Sequence, residues 1–147
     1  MRAAKGAAHD TGGFTMKYLL ALIGDESRMA DMTPEQRRDG MRAWDSYTKE
    51  LIDAGAHLGG EGLQPSATAT TVKLSESGGD PVVTDGPFAE TKEQLGGYYL
   101  IDCKDLDEAL DWARKIPMPG GAVEVRPVMD YEAAGSEVHR NEAEATR

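Results

Sequence analysis

Apolar residues recur along this chain in two rhythms, and the alternation between them lays out the fold. From Lys17 to Ile23 the segment reads as a strand, with Leu19, Leu20, Leu22 and Ile23 supplying both of its faces. Gly24 to Ser27 breaks it. Thr33-Pro34-Glu35-Gln36 is a helix start, with Thr33 as N-cap, Pro34 at the first helical position and Gln36 placed to complete a capping box. Met41, Trp44, Tyr47, Leu51 and Ile52 then recur at helical spacing as one apolar face, and Gly55 is the expected stop.

His57 to Gly62 leads into an extended segment. Thr68 to Leu74 and Pro81 to Thr84 are β-prone and flank the Ser75–Asp80 turn, which predicts a hairpin. Tyr98 to Cys103 is the next strand, and Tyr98, Tyr99, Leu100 and Ile101 are apolar at consecutive positions. Asp105 caps a second helix with Glu108 as its capping-box partner, and Leu106, Ala109, Leu110, Ala113 and Ile116 form its buried stripe. Ala122 to Val128 is the last strand. The order predicts an α+β, ferredoxin-like split βαβ arrangement with a hairpin inserted at its middle.

Two helices cover only one face of such a sheet. The other face carries apolar side chains from the first strand and from Tyr98–Ile101, and a second copy of the chain would shelter it. A homodimer is therefore expected. Tyr98 and Tyr99 must point to opposite sides of the sheet.

Length and charge narrow the picture. At 147 residues the chain reads as one domain over 16–130, with a disordered Ala- and Gly-rich extension at 1–15 and a mobile acidic tail at 131–147. Residues 16–130 hold 12 basic and 21 acidic side chains, so the acidity belongs to the folded part and direct nucleic-acid binding is not expected. Cys103 is the only cysteine, which excludes an intramolecular disulfide and a Cys-based zinc site. Without an apolar run of membrane-spanning length or a signal core, a cytoplasmic protein with no membrane contact is expected.

The densest chemistry lies in DGPFAETKEQLGGYYLID, from Asp85 to Asp102. That run resembles the signature of the YCII-related family, in its branch named for the Asp-Gly-Pro-Phe motif (DGPFAETKE proteins). The resemblance extends through MKYLLALIGDE at Met16–Glu26, AGAHLGGEGLQPSATATTV at Ala54–Val72, and DLDEALDWARKIP followed by GGAVEVRPV up to Val128. It implies a ferredoxin-like fold that associates sheet to sheet into a dimeric α/β barrel. It also implies either enzymatic work in a pocket near a His–Asp pair or, alternatively, a non-catalytic accessory module associated with sigma-factor regulators. One departure matters: the family's pocket histidine would fall near Trp44, flanked by Ala43 and Asp45, so that relay does not carry over.

The candidate site follows from the same residues. Asp85 is the candidate catalytic base, provided that apolar Phe88 and Tyr98 beside it desolvate its carboxylate; the alternative is a plain Asp-Gly-Pro turn. Glu90 could join Asp85 in holding a substrate amine and Lys92 could neutralise an anionic group, against the alternative of a solvated charged loop. His57 and Glu61 could reach the same pocket from the neighbouring strand, and Tyr18 and Tyr98 could wall it. Gly59-Gly60-Glu61-Gly62 lacks the Lys-Ser/Thr of a phosphate loop. No metal and no cofactor are expected. Trp44 and Tyr47 read as core. The leading expectation is a dimeric α/β-barrel protein that binds a small organic molecule, with cofactor-independent chemistry at Asp85 if it is catalytic.

Overall fold

The computed structural model describes residues 15–138. Strand β1 (Met16–Asp25) leads to a single helical turn α1 (Ser27–Ala30) and the long helix α2 (Pro34–Asp53). Strand β2 (His57–Gly62), a 3-10 turn at Ser66–Thr68, and the hairpin strands β3 (Thr70–Lys73) and β4 (Val82–Asp85) follow. The chain then forms β5 (Glu93–Cys103), α3 (Leu106–Arg114) and β6 (Ala122–Pro127). The main sheet has the order β2-β5-β1-β6 with every neighbouring pair antiparallel, which is the split βαβ arrangement. The hairpin forms a separate two-stranded sheet of its own. A single chain does not close a barrel; its sheet is open.

Local chemistry accounts for the helices. Thr33 Oγ1 accepts from Gln36 N at 3.1 Å and Gln36 Oε1 accepts from Thr33 N at 2.9 Å, so both halves of the capping box are present. At the other end Ala56 N donates to Leu51 O and Gly55 N to Ile52 O, each at 2.9 Å. That is a complete Schellman closure, and Gly55 supplies its positive φ of 70°. At α3, Asp105 accepts from Glu108 N at 2.9 Å, but the Glu108 carboxylate accepts from Lys104 N instead of the cap residue.

Tyr18 and Leu20 of β1, Ile101 and Cys103 of β5, Tyr47 and Leu51 of α2, Ala56, Ala109 and Ile116 make the buried core. Leu20, Leu51 and Ile101 are fully buried, each worth about 1.5–3 kcal/mol relative to exposure. Three expected stripe positions are exposed. Leu106 and Ile52 are exposed, Ile52 because it follows Leu51 by about 100° around the helix. Met41, 62% exposed, turns to a cleft at the end of the sheet.

The strands have two apolar faces. Tyr99 turns to the helices, where its hydroxyl meets Thr48 Oγ1 at 2.7 Å; Tyr98 therefore lies on the other side. That open side carries Leu19, Ala21 and Ile23 of β1 and Leu95, Tyr98 and Leu100 of β5. Strand β5 starts five residues before the expected Tyr98, because Glu93 to Leu95 pairs with the far end of β1 across a bulge. Gly97 is buried where β2 approaches, and a Cβ there would stand 2.7 Å from Glu61 O.

Candidate functional site

Where β1 ends, the chain makes a compact set of side-chain bonds. Ser27 N and Oγ both donate to Asp25 Oδ1, at 3.0 and 2.7 Å. The side-chain bond first, then the backbone bond, hold the Asp25 carboxyl below its ordinary value, with smaller help from the charges of Lys92 and Arg28. Glu26 Oε1 accepts from Ser66 N and Oε2 from Ser66 Oγ, both at 2.7 Å, which ties α1 to the 3-10 turn before the hairpin. Arg28 Nη1 donates to Pro119 O. The loop before β6 accepts this contact because Gly120 and Gly121 have φ of 134° and 82°. A Cβ at Gly120 would meet the Arg28 guanidinium, and one at Gly121 the Ile23 carbonyl.

These ties frame a cleft of about 420 Å³ between α1 and α2 on one side and the ends of β1 and β5 with residues 118–121 on the other. Its apolar wall is Leu22, Met29, Met32, Met41, Trp44 and Met118. Trp44 stacks on Tyr99 with ring centroids 6.2 Å apart and planes 15° from parallel. The charged lining is balanced: Asp25, Glu26 and Glu93 against Arg28, Arg37 and Lys92. Among the described residues the lining has no His, Cys, Ser or Thr. What it can do is enclose an apolar body and meet it with polar groups at the rim.

A second, smaller cavity of about 380 Å³ lies behind Gln94, which lines both. Leu63, Pro65, Ala69, Pro87, Phe88 and Leu95 give it an apolar character. The Asp-Gly-Pro-Phe turn is built from the hairpin's closing bonds: Gly86 N donates to Ala69 O at 2.7 Å and Thr71 Oγ1 to Gly86 O at 2.8 Å. Gly86 takes φ 99° there.

The residues expected from the sequence are dispersed. Asp85 is exposed at the end of β4 and lines neither cavity. Phe88, 81% exposed, lines the smaller cavity, Lys92 the larger, and Glu90 is exposed. Tyr18 is buried under the helices, its hydroxyl donating to Met16 Sδ at 3.8 Å. His57 is half-buried on the helix side, edge-on to Tyr99 at 6.3 Å between ring centroids. Glu61 pairs with Tyr98 on the open side of the sheet, the one close pairing among them. The methionines and Trp44 of the cleft were not singled out as a site from the sequence. Met29 and Met32, one turn apart before the Thr33 cap, are the signal that marks its rim.

Outside the cleft, Cys103 is buried, and its thiol is pushed up to about 12, by burial first and then by Glu108, Asp102 and Asp105. It is an inert core group. No helix among the described residues is long and apolar enough to cross a membrane.

Comparison with known proteins matches residues 16–132 to the YCII-related domain. An uncharacterized protein of Rhizobium meliloti (strain 1021) is 41% identical over 120 residues, covering 80% of this chain and 95% of the relative.

Proposed function

The chain belongs to the YCII-related family, and from that premise we propose that it is a small-molecule-binding protein whose ligand is an apolar organic molecule held in the methionine-lined cleft. The observation that carries this reading is the wall of Leu22, Met29, Met32, Met41 and Met118 over the face of Trp44, enclosing about 420 Å³. That volume falls in the usual range for small-molecule sites, about 300–1,000 Å³. Thioether side chains adapt to irregular apolar shapes, and an indole offers a flat platform.

Anilinonaphthalene sulfonate tests the reading in a Trp112→Phe background, where Trp44 is the remaining donor for energy transfer. Saturable transfer that weakens at least about tenfold, some 1.4 kcal/mol, on Met41→Arg supports the cleft. Transfer indifferent to that substitution removes it.

The same reading places a second copy of the chain on the open side of the sheet. Leu19, Ile23, Leu95, Tyr98 and Leu100 form its apolar centre. Its margins carry both signs: Lys17 opposite Asp102 on one edge, and Glu124 ion-paired with Arg126 on β6. A two-fold axis sets such a surface against itself, and margins carrying both signs allow a register in which opposite charges face, which supports a homodimer as the occupant.

A further inference from the structure

At the polar end of the cleft the orientation of the Gln94 carboxamide is settled by its own bonds. Gln94 Nε2 donates to Ala89 O at 2.9 Å and to Thr91 O at 3.0 Å. Carbonyl oxygens can be met only by the NH₂ end of a carboxamide, and two of them occupy both of its hydrogens. The Oε1 end is thereby turned away from the loop; no described residue donates to it, and it is open to water. Among the described residues Gln94 is also the one that lines both the methionine cleft and the Pro87–Phe88 cavity.

We propose that Gln94 is the specificity-determining acceptor of the site, and that the ligand is an apolar ring compound carrying a hydroxyl or N–H donor on the edge that faces the Pro87–Phe88 cavity. This rests on the ligand-binding reading of the cleft given above. It assigns the loop between Gly86 and Glu93 a role that Asp85 does not: the carbonyls of Ala89 and Thr91 act as a frame that fixes the amide, so its oxygen is presented without reorganisation when a donor arrives. Thr91 is itself held, its Oγ1 donating to Glu93 O at 2.5 Å. A ligand lacking the donor would strip water from the oxygen and return nothing. The ligand therefore belongs to the phenols and aromatic amines rather than to plain hydrocarbons or ethers.

Calorimetric titration with 2-naphthol and 2-methoxynaphthalene tests the assignment on the full chain. The readout is the ratio of the two affinities, compared between wild type and Gln94→Leu, so that the different water affinities of the compounds cancel. The ratio should fall about fivefold in Gln94→Leu, the effect of one neutral hydrogen bond. A loosened loop would weaken both compounds alike and leave the ratio untouched. A ratio unchanged in Gln94→Leu, with both compounds binding, overturns the role of Gln94 and leaves the cleft standing. Failure of wild type to bind either compound overturns both.

Discussion

Trp44 lies nearly parallel to Tyr99 and offset from it, so the floor of the cleft is also the outer layer of the core. Tyr47 meets both rings edge-on, at 6.4 Å from Trp44 and 5.2 Å from Tyr99, and its hydroxyl donates to Trp112 O at 2.9 Å. The proposed binding site and the core share these residues. Tyr99→Phe tests the join, because it keeps the stack and removes only the bond to Thr48. Urea denaturation should show a loss of about 0.5–1.5 kcal/mol, with anilinonaphthalene sulfonate still reaching Trp44. A loss of binding with stability intact would separate the two roles.

The helices were legible in the sequence because their signals are local. Thr33, Gln36 and Gly55 each act within a few residues of where they stand, and each does what its spacing announced. The order of the sheet followed from the alternation of strand and helix patterns. The cleft was not legible. Met29, Met32 and Met41 meet Met118 only after β1, β5 and the loop at 118–121 have been brought together, and no periodicity records that meeting. Charge is a poor guide to the clefts: Asp85 is conspicuous in its motif, yet the hairpin places it in solvent, while the unremarkable Gln94 borders both cavities.

Assembly can be tested without disturbing the core. Leu100 lies on the open side of the sheet, paired with Leu19 and Gly59. Leu100→Arg places a charge at the centre of that surface, where a partner could not solvate it. Light scattering coupled to gel filtration should give twice the chain mass for wild type and a single-chain mass for the variant, with unchanged far-ultraviolet dichroism. A wild type of single-chain mass would end the proposal that a second copy covers this face.

Alkaline stability follows from two buried acids. Burial raises the Cys103 thiol from 9.0 to about 12 and pushes the Tyr47 phenol upward as well, with the charge of Tyr99 adding to the latter. A raised folded pKa means that above the unfolded value the unfolded chain holds fewer protons, so stability falls as pH rises. The contribution of Cys103 is complete below pH 9 and is lost between about 9 and 12. Melting temperatures measured across that window should decline, and Cys103→Ala should decline less steeply after its cavity cost is subtracted at pH 7. Equal slopes would show that the thiol does not carry the effect. In native protein at pH 8 the same thiol should resist Ellman's reagent and react only on unfolding.

The Gly-Gly step that ends the acidic motif separates two jobs that look identical in the sequence. At Gly96 a Cβ would meet nothing nearer than Leu22 O at 3.9 Å, an ordinary contact. At Gly97 it would stand 2.7 Å from Glu61 O and 3.2 Å from Gly62 Cα, both backbone atoms of the adjacent strand β2. Backbone on a paired strand cannot rotate aside as a side chain can, so β2 would have to move away from β5. Gly97→Ala should therefore cost about 1–3 kcal/mol, the usual range for overpacking, whereas Gly96→Ala should lie within about 0.5 kcal/mol of wild type. Urea midpoints of the two variants decide the point. The slope should be unchanged, since neither substitution alters the surface exposed on unfolding. If the two variants match, β2 is not held against β5 at Gly97, and the close approach of these strands is not what requires the second glycine.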